Sequence, residues 1–142
     1  MSQKERETRY REAVRYLTNA QEILRTKARK LNRYYEDEKY VRMACGTAYN
    51  GVLKAVDTYL ELRGKTLGKR NKGRLSVQDY QKALTSVDQK ILNEFNSAYE
   101  ILHLSGYYDG ILKADVIHSG LDSFAMILNQ IKPLGTPDIS LN

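Results

Sequence analysis

The chain has 142 residues, 42% of them hydrophobic and 28% charged, which is enough for one soluble domain with a real core and argues against general disorder. No apolar run approaches the roughly 20 residues needed to span a bilayer, and the opening MSQKERETRYRE lacks the apolar stretch of a signal peptide. The formal charge of +6 is unevenly spread: residues 1–75 hold 19 basic and 9 acidic residues, a net of +10, whereas residues 76–142 hold 4 and 8, a net of −4. A basic half of this kind contacts phosphate or pairs with the acidic half of the same or a neighbouring molecule. The single cysteine, Cys45, has no disulfide partner and no companion at metal-ligand spacing. The expectation is a cytoplasmic protein without metal or cofactor and without a membrane association.

In chain order, the apolar positions Tyr10, Ala13, Val14, Leu17, Ala20, Leu24, Ala28 and Leu31 predict one long helix from about residue 4 to 35. YYEDE (34–38) interrupts the pattern, and Asp37 suits an N-cap. A second helix follows over 38–63, burying Val41, Ala44, Ala48, Val52, Ala55, Val56 and Tyr59. Its first half concentrates small residues (Ala44, Cys45, Gly46, Ala48, Gly51), which let neighbours approach closely and mark it as the central helix, with Gly64 as its C-cap. Ser76 with Asp79 forms a variant capping box ahead of a short helix over 77–85. A further helix over 88–104 buries Ile91, Leu92, Phe95, Ala98, Tyr99 and Leu102 and is broken by Gly106. The last spans 109–132, and Pro133 and Gly135 end it before a frayed, flexible tail at 133–142. No segment alternates as a strand. The reading is all-α: a single domain at 1–132, an antiparallel four-helix bundle with one extra short helix.

The candidate sites are few. RGKTLGKRNKGR (63–74) carries six basic residues, three glycines and no acid. It is not a phosphate-binding P-loop: Gly64 and Gly68 enclose three residues rather than four, Lys69 is followed by Arg70, and the loop leaves a helix instead of a strand. Lys65, Lys69, Arg70, Lys72 and Arg74 are the candidate nucleic-acid contacts; the alternative is a soluble connector. His103 with Tyr107, Tyr108 and Asp109 is the second candidate. A histidine near a carboxylate and two phenols can bind phosphate or shuttle a proton, or the tyrosines pack at a dimer interface around it. Tyr34, Tyr35 and Tyr40 lie among Arg33, Lys39 and Arg42, a mix that stacks bases or fills an interface. His118 falls on the polar side of the last helix, and Cys45 reads as a packing residue.

ACGTAYNGVLKAVDTYLELRG (44–64) resembles the signature helix of HEPN domains, the nucleotide-binding domains of higher eukaryotes and prokaryotes, with Ala44, Ala48, Tyr49, Ala55, Leu60, Leu62 and Gly64 filling the pattern. YLTNAQEILR (16–25) resembles the HEPN lead helix, SAYEILHLSGYYDG (97–110) the third long helix and its exit, and GLDSFAMILNQI (120–131) the closing helix. The resemblance implies a helical bundle that forms a homodimer. HEPN ribonucleases pair an arginine with a histidine four to six residues beyond its polar neighbour, whereas no arginine follows Arg74 here. A histidine cannot copy a guanidinium fork, and tyrosine is a poor base at neutral pH. The resemblance therefore implies a non-catalytic binding or regulatory protein with RNA or a nucleotide as ligand. The alternatives are a divergent metal-independent ribonuclease using His103, Tyr108 and Asp109, and a protein-binding half of a two-component, toxin–antitoxin-like system.

Overall fold

The computed structural model describes residues 1–67 and 75–141. Among them are five α-helices: α1 (Gln3–Ile23), α2 (Glu38–Leu62), α3 (Val77–Thr85), α4 (Gln89–Ala98) and α5 (Ala114–Ile131). Among the described residues the fold is all-α apart from two two-residue strands, β1 (Lys30–Leu31) and β2 (Tyr34–Tyr35). Two helices are prolonged by π-helical segments, Leu24–Ala28 after α1 and Tyr99–Tyr108 after α4.

Each helix start has a local cause. Ser2 accepts the amide of Glu5 at the head of α1, and Asp37 accepts that of Lys39 at the head of α2. Ser76 and Asp79 form a reciprocal capping box on α3: the Asp79 amide donates to Ser76 Oγ at 3.3 Å and the Ser76 amide to Asp79 Oδ2 at 2.8 Å. Asp88 accepts the amides of Lys90 and Ile91 and opens α4. At the far end of α2, Gly64 lies at φ +77° and the Lys65 amide returns to the carbonyl of Leu60, an ending that favours glycine.

Helix α2 is the hub, touching α1, α3, α4, α5 and both π-helical segments. Its buried face, from Val41 through Ala44, Ala48, Val52, Ala55 and Val56, meets Leu17 and Ala20 of α1 and Phe124, Ile127 and Leu128 of α5 in one continuous core. Phe95 and Phe124 are fully buried there. Each fully buried large side chain contributes about 1.5–3 kcal/mol by leaving water.

Three expectations change. The helix read over 4–35 stops being α-helical at Ile23 and ceases altogether at Ala28. Leu24 and Ala28 both stay buried across the wider turn, and Arg29 then takes φ 55°. Leu31, expected on the buried face, is 62% exposed. The chain instead doubles back through Asn32 (φ 58°) and Arg33, pairing Lys30 with Tyr35 and Leu31 with Tyr34. What overrides the helix is distant: the Tyr35 amide donates to the carbonyl of Leu112 at 2.8 Å, and the Ala114 amide to that of Arg33 at 2.9 Å.

The second change is at Gly106, which does not break its helix. The π-helical segment runs on to Tyr108, and the turn is made at Gly110 (φ +67°). A methyl on Gly106 would collide with the side chain of Cys45 on α2, so this glycine serves close packing rather than termination. The last helix consequently begins at Ala114 rather than 109. Beyond it, the segment read as a frayed tail lies against the end of α5. Asn129 brackets Ile139 through both backbone groups, at 2.8 and 3.1 Å, and Lys132 pairs with Asp138.

Candidate binding site at the π-helical segment

Tyr99, His103 and Tyr107 recur every four residues, so the π-helical segment lines them up along one side. Their rings follow one another with centroids 5.5 Å and 6.0 Å apart, each pair close to parallel. Tyr49, 7% exposed on α2, stacks on His103 at 4.6 Å from the inside. Tyr108 meets His103 edge-on at 5.0 Å and Tyr107 at 5.3 Å. The histidine is thus enclosed by four tyrosines, two of which, Tyr107 and Tyr108, are 45% and 59% exposed. Offset-stacked and edge-on aromatic pairs add about 0.5–1.5 kcal/mol each beyond their area.

The small residues of α2 explain how this column fits. Tyr107 lies over Gly46, so its ring rests on the α2 backbone, and the Cys45 side chain of α2 lies against Gly106 of the aromatic exit. Burial pushes the Cys45 thiol up to about 12, which leaves it a packing residue at neutral pH.

Arg42 supplies the charge. Its Nη1 donates to the carbonyl of Tyr107 at 2.9 Å and to that of Tyr108, while Nε donates to Glu38 at 3.2 Å. A guanidinium on the last carbonyls of a helical segment satisfies otherwise orphaned acceptors and complements the local dipole. Gly110 lacks the side chain that would strike Glu38 and Arg42, so the turn and the ion pair occupy the same space.

The electrostatics favour uncharged rings. Desolvation lowers the pKa of His103, holding the imidazole neutral at pH 7. Burial first, and Tyr99 second, raise that of Tyr49. A neutral imidazole among phenols can stack and can accept or donate one hydrogen bond. To act as a general base it needs a partner that orients it. Among the described residues, none forms a hydrogen bond to the His103 imidazole.

The structure brings His103 and Tyr108 together. Asp109 follows on the exposed exit with no bond to His103; its amide closes onto Leu104 at 2.9 Å. Lys65 donates to Ser86 Oγ at 2.7 Å, tying the end of α2 to the end of α3. Lys69, Arg70, Lys72 and Arg74 lie outside the described residues. His118 is half-exposed on α5, 3.7 Å from Asp122. Tyr99 and Tyr49 were not singled out as site residues, and Arg42 was grouped with Tyr34, Tyr35 and Tyr40 rather than with the aromatic exit. The four-residue spacing signals Tyr99, whereas Tyr49 and Arg42 arrive from a helix more than 50 residues earlier. No set of histidine, cysteine and carboxylate suited to a metal ion exists among the described residues.

A solved structure of a protein of unknown function from Dyadobacter fermentans is 44% identical to this chain, with a TM-score of 0.78 over 92% of this chain and 97% of that one. No match was found among the curated proteins. The family model described as a domain of unknown function (DUF5618) matches residues 8–133, from the first turns of α1 to Pro133, and the chain belongs to that family.

Proposed function

We propose that the protein is a non-catalytic, HEPN-like binding or regulatory module whose ligand is RNA or a nucleotide. The observation that carries the reading is the aromatic column of Tyr49, His103, Tyr107 and Tyr108, buried at one end and open at the other, with Arg42 fixed at its foot. An exposed pair of rings beside a guanidinium offers a stacking surface and a cation for the adjoining phosphate. The order of helices and the packing of the small residues of α2 against the aromatic exit support the HEPN likeness. The basic excess of the first half of the chain supports an anionic ligand. The absence of an orienting partner for His103 among the described residues favours binding over catalysis.

The test is fluorescence anisotropy with single-stranded RNA at about 50 and 200 mM salt, on native protein, a Tyr107→Ala/Tyr108→Ala variant, and a variant neutralised at Lys65, Lys69, Arg70, Lys72 and Arg74. Contacts to several phosphates make affinity fall by orders of magnitude between the two salts. Loss of a stacking ring costs about 1–3 kcal/mol per base. A salt slope that shrinks in the loop variant assigns the phosphates to RGKTLGKRNKGR. Cleavage that disappears in His103→Ala replaces this reading with the divergent ribonuclease, and absence of binding replaces it with the protein-partner module.

A second reading has its own observation. Tyr107 and Tyr108 are large, exposed and adjacent, which also suits a face covered by a second copy of the chain in a homodimer. Light scattering on the native protein and the double tyrosine variant separates the two: a dimer that becomes a monomer assigns the rings to self-association.

A further inference from the structure

A second concavity lies away from the aromatic column, where the end of α1, the hairpin and α5 meet. Its volume is about 400 Å³, and it is lined by Gln21, Leu24, Arg25, Lys30, Tyr35 and His118, with Leu121 behind them. Leu24 and Leu121 are buried and the Tyr35 ring is half-buried, so the floor is apolar. Arg25, Lys30 and His118 stand exposed around the rim.

Three successive features of one chain reversal shape this cleft. The wall is the π-helical segment Leu24–Ala28, a departure from α-geometry that recurs at binding sites. Arg29 immediately after it takes φ 55°, a conformation that costs a side chain-bearing residue about 1–2 kcal/mol. The hairpin that presents Lys30 and Tyr35 is clamped in place, because the amides of Glu36 and Asp37 both donate to the carbonyl of Ala28 at 3.2 Å. The pairing of Lys30 with Tyr35 sets these two side chains on the same face of the hairpin.

The charge is equally one-sided. Residues 23–35 hold Arg25, Lys27, Arg29, Lys30 and Arg33 and no acid. Two carboxylates reach the rim: Glu22 on Arg25 at 2.6 Å and Asp122 beside His118 at 3.7 Å. Both are exposed pairs, worth about 0–1 kcal/mol, and open readily to a competing anion. Lys30 has no carboxylate at ion-pair distance among the described residues.

We propose that this cleft binds a small amphipathic anion, its flat apolar body over Leu24, Tyr35 and Leu121 and its phosphate or carboxylate between Lys30, Arg25 and His118. The volume is that of a site for one ligand of bicyclic size. The apolar floor selects against a bare inorganic ion, and the cationic rim selects against an uncharged ring. The site is independent of the aromatic column and stands whether or not that column binds RNA.

The experiment titrates 1-naphthyl phosphate, 1-naphthoate, uncharged 1-naphthol and inorganic phosphate into the native protein and into Lys30→Ala and Arg25→Gln, following backbone amide shifts. Both substitutions are of exposed side chains, and circular dichroism checks that each variant is folded. The expected result is saturable binding of a naphthyl anion with shifts confined to residues 21–36 and 118–121, and a Kd raised roughly tenfold or more by Lys30→Ala. Tighter binding of the phosphate ester assigns a phosphate ligand, and tighter binding of the naphthoate assigns a carboxylate. The proposal is overturned by unchanged affinity in both variants, by naphthol binding as tightly as the anions, by shifts centred on residues 99–108, or by no binding at millimolar probe.

Discussion

The two π-helical segments use the same backbone device for opposite ends. Leu24–Ala28 is five residues long and keeps two apolar side chains, Leu24 and Ala28, on the core while the chain prepares to leave the helix. Tyr99–Tyr108 is twice as long, buries only Leu102 and Gly106 of its ten residues, and sets the rings of Tyr99, His103, Tyr107 and Tyr108 against one another. The first ends in a strained arginine and a hairpin; the second ends in a relaxed glycine and a guanidinium cap. A widened turn is therefore not one signal with one meaning. At Leu24–Ala28 it releases the chain into a hairpin, and at Tyr99–Tyr108 it sets aromatic rings against one another.

The contrast can be broken most forcefully from the first segment. Leu24→Ala empties a nearly fully buried position, and unfolding by denaturant is expected to show a loss of about 2–5 kcal/mol. The next largest effect belongs to the second. Gly106→Ala forces a methyl into Cys45, with an expected cost of about 1–3 kcal/mol. Pairing it with Cys45→Ala tests the cause: the double variant is expected to recover part of the loss, and strict additivity would place the strain elsewhere.

A smaller effect sharpens the view that the hairpin carries local strain after the first segment. Asn32→Ala at φ 58° is expected to cost about 1 kcal/mol, whereas Asn32→Gly should lie within a few tenths of the native value in the same assay. The smallest is electrostatic and confined to the second segment. His103 titrates below its usual value of 6.5 because it is desolvated, so its protonation favours the unfolded chain. Its contribution is fully present above pH 6.5 and is lost as the pH falls below that value towards the folded pKa. His103→Gln should flatten this limb of the stability profile, and an unchanged slope would assign it to another group.

The helix framework was legible because its signals are local. Ser76 and Asp79, Asp37, and Gly64 each act within a few residues, and each does in the structure what its type suggests. The π-helical segments were not legible, because a buried residue every four positions satisfies α- and π-geometry alike: Leu24 and Ala28 read as one more helical turn. The hairpin escaped because its decisive bonds run from Tyr35 to Leu112 and from Ala114 to Arg33, far outside any local window. The same division holds at the site. His103, Tyr107 and Tyr108 could be grouped from their spacing, whereas Tyr49 and Arg42 enter only when α2 is laid against the aromatic exit.

The carbonyl of Ala28 has a consequence of its own. One oxygen receives the amides of both Glu36 and Asp37, so the last turn before the hairpin and the first turn of α2 share a single acceptor. The Glu36 amide donates to the carbonyl of Arg29 as well, at 2.9 Å, so movement of the Ala28–Arg29 backbone releases both donors together. In native-state hydrogen exchange the amides of residues 36 and 37 should therefore trade their protons at one common rate, marking the seam between α1 and α2 as a single cooperative unit rather than as a flexible joint.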